Sequence, residues 1–164
     1  MSYRGVHFAL LPEDVQKLRN AADDEQLLVV VQEDIEERWD APWLFQTDKG
    51  WAALHRCFTD GRLLYDNGEY PLRVCILGGE QLYRGDDYAV SLLTPEQVRD
   101  VAAALAPIDM ASLRARYDAI DTADYGKALS DDDFGYVWAC YKGLPEFFAK
   151  ASAAERAMVF TVDF

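Results

Sequence analysis

Positive charge is scarce in this chain of 164 residues. Lysine and arginine number 16 against 29 aspartates and glutamates, with 2 histidines, for a formal net charge of -13. Such a field repels phosphate backbones and anionic lipid headgroups at long range, so neither nucleic acid nor a membrane surface is an expected partner. A basic protein partner is the one class that this charge favours. Cysteine is sparse as well: Cys57, Cys75 and Cys140 are odd in number and far apart, which predicts reduced thiols in a cytoplasmic protein. No stretch approaches the roughly 20 apolar residues that cross a bilayer. The opening MSYRGVHFALL lacks the basic flank and long apolar stretch of an export signal.

The motifs that announce a chemistry are missing too. There is no GxxxxGK[ST] phosphate loop, no GxGxxG fingerprint and no GxSxG elbow. His55 and Cys57 are two apart, so in a helix they face different ways, and no second ligand pair follows; no metal is expected. Asp131, Asp132 and Asp133 lack the alternating oxygen ligands of a calcium loop and instead suit the positive end of a helix. No cofactor is implied.

What is present is a sequence able to bury a core. Hydrophobic residues make up 51 %, and the length suits one domain spanning residues 1–164. Tyr3 to Leu11 reads as a strand, Pro12 to Ala22 as a helix opened by proline, and Asp24 to Arg38 as a helix with Leu28, Val31, Ile35 and Trp39 in step. WDAPWLFQTD breaks the pattern, after which Asp48 is placed to cap a helix from Lys49 to Phe58. PLRVCIL (71–77) reads as a central strand, and Gly78 and Gly79 end it with either a positive backbone angle or a close neighbour.

The clearest local signal is LLTPEQVRDVAAAL. Thr94 caps, Pro95 opens, Gln97 reaches back, and Leu93 staples onto Val98. Asp109 and Ser130 are the caps of two further helices, the second split near Leu144 by Gly143 and Pro145. Ala157 to Val162 closes the chain as a strand. The expected architecture is α+β: a small central β-sheet covered by about six helices.

Two functional readings follow. In the first, the acidic chain is a non-catalytic protein-binding domain, immunity- or antitoxin-like, with Trp43 and Phe45 of the proline-containing loop as aromatic anchors. In the alternative, a small hydrolase or transferase uses His55 as acid or base with Glu80 across a cleft, and Asp48 or Glu80 orients the ring. His7 has no partner nearby in the sequence.

The ordered segments FALLPEDV, DKGWAALHRCFTDG, PLRVCILGGE and LLTPEQVRDVAAAL resemble the signature stretches of the YfbM-like family of small bacterial proteins. The resemblance spans nearly the whole chain and implies an α/β domain of unassigned biochemical role. It marks Asp48, Trp51, His55, Gly78, Gly79 and Glu80 as a candidate local cluster. Where relatives carry a Gly-Pro step before the Leu-Thr-Pro helix start, this chain has Tyr88, Ala89, Val90 and Ser91, which implies an altered loop.

Overall fold

The computed structural model describes residues 2–164. Strand β1 (Gly5–Leu10) is shorter than the predicted stretch, whose first residue, Tyr3, takes a φ of 54° and donates its N–H to the Asp163 carbonyl at 3.1 Å. Helix α1 (Pro12–Asn20) starts at proline with no side-chain cap. Helix α2 (Asp24–Val29) is capped by Asp23, whose carboxylate accepts the Gln26 N–H at 2.9 Å, and continues as a π-helix over Val30–Glu36. There the Glu37 N–H bonds the Gln32 carbonyl five residues back, at 2.9 Å. The stiff run Val29 to Val31 lies at the junction. The buried stripe is Leu27, Val31 and Ile35, one residue off the predicted start at Leu28.

Strand β2 (Leu44–Asp48) follows a 3-10 turn at Ala41–Trp43, inside the segment read as a loop. It pairs antiparallel with β1. Asp48 ends this strand with a φ of 46° and does not cap the next helix. Helix α3 (Trp51–Phe58) has Gly50 at its cap position instead, and no side-chain bond there.

The predicted central strand at 71–77 is corrected. Those residues form a 3-10 turn at Leu72–Val74 and further turns beyond it. Val74, Cys75, Ile76 and Leu77 are all buried, but against the sheet and not within it. An apolar run of this length records burial, not backbone conformation. The sheet takes its strands from elsewhere: β3 (Glu80–Gln81) and β4 (Tyr88–Leu93), the latter formed by the residues that depart from the family pattern.

Helix α4 (Pro95–Leu105) carries the full capping box, with Gln97 N–H donating to Thr94 Oγ1 at 3.2 Å and Thr94 N–H to Gln97 Oε1 at 2.9 Å. Asp109 caps α5 (Met110–Asp118), Asp121 caps the single turn α6 (Thr122–Tyr125), and Ser130 caps α7 (Asp131–Tyr141). The break falls at Gly143, and α8 (Leu144–Ala153) leads into β5 (Ala157–Asp163).

The sheet is antiparallel throughout, in the order β2-β1-β5-β4-β3. Alternation along β5 divides the core in two. Met158, Phe160 and Val162 face the larger cluster, built with α3, α4, α5, α7 and α8. Val159 joins Phe8, Leu10, Val90 and Leu92 under α1, α2 and the π-helix. The fold is α+β, with helices on both faces.

Gly78 and Gly79 are explained by close neighbours, since neither has a positive φ. A Cβ on Gly78 would lie 2.1 Å from the Arg73 carbonyl oxygen, and one on Gly79 would lie 2.7 Å from Ser91 Oγ. Gly135, inside α7, has nothing within 4 Å of such an atom. Urea unfolding is therefore expected to show Gly78→Ala losing more than about 2 kcal/mol, because backbone must move. Gly135→Ala is expected to gain about 0.5–1 kcal/mol from helix propensity. Equal effects of the two would contradict the packing described.

Candidate functional site

The segment predicted to hold the chemistry is a packed clamp. His55 is wholly buried on α3, and its Nε2–H donates to the Leu64 carbonyl at 2.6 Å, with Asn67 Oδ1 at 3.4 Å. Thr59 Oγ1 donates to the His55 carbonyl at 2.7 Å, and Asn67 Nδ2 reaches Thr59, Asp60 and the Arg62 carbonyl. His55 therefore pins the loop after α3. Among the described residues its Nδ1 is buried without a partner, and burial pushes the imidazole pKa down.

Glu80 belongs to another part of the molecule. On edge strand β3 it is exposed and takes a two-pronged ion pair from Arg19 of α1, at 3.0 and 3.1 Å. It lines a cleft of about 540 Å³ with Arg19, Asp24 and Arg84, in which His55 has no share. Asp48 faces Arg4 at 3.5 Å at the end of β2. The structure does not bring His55, Glu80 and Asp48 together, so the acid-base pair expected of them is not formed.

The aromatic candidates are likewise engaged inside the fold. Trp51 is fully buried, donates from Nε1 to the Tyr3 carbonyl at 3.2 Å, and packs on Tyr3, Phe160 and Phe164. Over the Trp43 ring lie Lys150 Nζ at 4.2 Å and the Arg156 guanidinium carbon at 3.6 Å. Phe45 packs on Phe147 with ring centres 5.9 Å apart, and reaches the bare backbone of Gly143. Trp51 is thus enclosed, while Trp43 and Phe45 are partly buried against the fold.

The cysteines are buried free thiols. Burial pushes Cys57 up to about 12 and raises Cys75 and Cys140, so thiolate is suppressed at all three. Among the described residues, no group of three or more His, Cys, Asp or Glu side chains is placed to hold a metal ion. Among the described residues no helix is long and apolar enough to cross a membrane.

What sequence reasoning missed lies at the end of the π-helix. A cavity of about 370 Å³ is lined by Glu36, Trp39, Gln46, Tyr88, Thr161 and Asp163, among others. Trp39 has a φ of 45° and packs edge-on against Phe8 at 6.1 Å, while 44 % of it remains exposed. It covers Phe8 of the sheet only in part. Glu36 accepts a short hydrogen bond from the Tyr88 hydroxyl. Burial pushes its carboxyl up. The lining comes from five separate stretches of chain, so the only local signal was the run of acids ending in tryptophan.

A five-stranded antiparallel sheet between helical layers, without an assembled catalytic group among the candidates, defines an α+β domain. The chain belongs to the family described as domain of unknown function DUF1877, which matches residues 1–161. The fold is similar to the crystal structure of YfbM, a protein of unknown function from Escherichia coli. The TM-score is 0.69 at 17 % identity, covering 97 % of this chain and 99 % of that one. At that identity the likeness shows the fold alone. No functionally curated protein matches the sequence.

The buried histidine of the sheet yields a test of this packing. His7 is fully buried, its Nε2–H donates to the Cys75 carbonyl at 2.8 Å, and rings of Phe148 and Phe160 lie against it. Burial lowers its pKa to about 4, against the bond to Cys75, which raises it. Between the unfolded value near 6.5 and about 4, the unfolded chain binds a proton that the folded chain does not. Stability must fall as pH falls through that window. Unfolding at pH 7 and pH 4.5 is expected to show roughly 2–3 kcal/mol more acid loss in wild type than in His7→Gln. Identical losses would place the imidazole in contact with solvent.

Proposed function

We propose that the protein is a non-catalytic binding domain for a basic protein, engaged through the outer face of α2 and the π-helix that continues it. The observation that carries this is the stretch 23–40, where eight carboxylates stand against the single Arg38. Arg38 is itself held by Asp14 at 2.9 Å. Glu25, Glu33, Glu37 and Asp40 are exposed, and Val29 and Trp39 are 47 % and 44 % exposed among them. Charges of one sign around apolar anchors favour a partner of opposite sign, speeding encounter and rejecting wrong partners. Trp43 and Phe45 have internal contacts, so Val29 and Trp39 take the anchoring role.

The test is photo-crosslinking in the native cell, from benzoylphenylalanine placed at Val29 or, as control, at Met110 on the exposed start of α5. The expected result is a salt-sensitive adduct with a protein of net positive charge from position 29 only. It should disappear in the triple variant Glu25→Gln, Glu33→Gln, Glu37→Gln. No adduct, equal adducts from both positions, or an adduct that survives neutralisation would overturn the proposal.

A further inference from the structure

Glu36 is the unusual acid of the acidic face. It is half-buried, yet among the described residues no lysine or arginine lies within ion-pair distance of it. Other sheltered carboxylates are compensated: Asp14 by Arg38 at 2.9 Å, and Asp133 by Lys127 at 3.0 Å. Among the described residues, the hydrogen-bond donor to Glu36 is the Tyr88 hydroxyl. A charge taken partly out of water without a counter-charge is costly, and a cation arriving beside it recovers that cost.

The surroundings fit such a cation. The cavity of about 370 Å³ beside Glu36 opens at Trp39, whose indole is braced on Phe8 with nearly half of its surface exposed. Indole is the best aromatic surface for a cation, and a planar guanidinium can stack on it while bonding a carboxylate. Gln46 adds an amide oxygen to the wall. Arg4 also lines the cavity but pairs with Asp48 at 3.5 Å. Asp163, bonded by the Ser2 amide at 3.0 Å, adds to the negative field felt by Glu36.

We infer that this cavity receives an arginine side chain of the basic partner, with the guanidinium on the Trp39 indole and against the Glu36 carboxylate. This deepens the binding reading above and rests on it for the identity of the arginine's owner. The recognition itself belongs to the isolated domain.

The probe is the blocked tripeptide acetyl-Gly-Arg-Gly-amide, titrated into the purified protein and followed by the indole N–H resonance of Trp39, assigned with Trp39→Phe. A saturable shift is expected with this peptide and none with its neutral citrulline isostere. Calorimetry should show Glu36→Gln and Trp39→Ala each weakening binding about tenfold. Glu33→Gln, which removes a charge from the same face outside the cavity, should change it less than about threefold. Unaltered thermal unfolding of Trp39→Ala keeps the result interpretable if Glu36→Gln fails to fold.

Equal binding of the lysine and arginine peptides, or equal losses in Glu33→Gln and Glu36→Gln, would overturn the site. If the peptide leaves Trp39 unmoved while the crosslink at Val29 persists, the cavity assignment fails and the binding face stands. If the peptide binds but no crosslink forms, the cavity stands and the partner reading fails.

Discussion

The rest of the fold depends on β5 being buried on both of its faces. Antiparallel sheets commonly leave one face in water, but here every residue from Ala157 to Val162 is buried. Each face then needs its own helical layer. Because this last strand lies between β1 and β4, the first strand cannot be paired on both sides until the end of the chain arrives. That topology couples the two termini and makes the fold rich in non-local contacts. It also leaves polar groups inside. Ser91 is satisfied by the Gly79 amide at 3.1 Å, whereas Nδ1 of His7 has no partner among the described residues, a loss of about 1–3 kcal/mol against a paired group.

Elements signalled by local chemistry were legible in the sequence. Thr94, Asp109 and Ser130 cap as their positions imply, and Gly143 splits the last helical stretch where proline follows. These are interactions between residues three or four apart, so the sequence contains both partners. The 71–77 segment, β2 and β4 were not legible because their state depends on distant partners. Val74 to Leu77 and β4 are similarly apolar, yet only β4 finds a neighbour, pairing Leu92 with Val159. In β2, Pro42 just before the strand masks it, although edge position makes that proline harmless.

The candidate cluster divides in the same way. Of the two readings of Gly78 and Gly79, a positive backbone angle or a close neighbour, the packing bears out the second. The acceptor of the buried His55 imidazole, the Leu64 carbonyl, is nine residues on in an irregular loop. Glu80 has its partner in Arg19, 61 residues away. No spacing rule reaches that far. Glu36 and Tyr88 are 52 apart and meet only because the π-helix and β4 share the smaller core.

Net charge is a weak guide to binding until it is placed. At physiological salt the Debye length is about 8 Å, so a partner senses the charges beneath it and little of the molecule's remainder. In this chain many cations are committed internally: Arg56 to Asp124, Arg114 to Asp118 and Asp131, Lys127 to Asp133, Lys150 and Arg156 to Trp43. Internal pairing of this kind makes much of the surface locally balanced. Along the stretch 23–40, Asp34 has Lys17 at 3.8 Å and Arg38 is taken by Asp14, while among the described residues Glu25, Glu33, Glu37 and Asp40 stay exposed without an ion pair. The acidity that discourages phosphate and lipid across the whole chain is therefore dense on this helix face, with eight carboxylates in the stretch 23–40. There a half-buried carboxylate and an exposed indole sit at the same end.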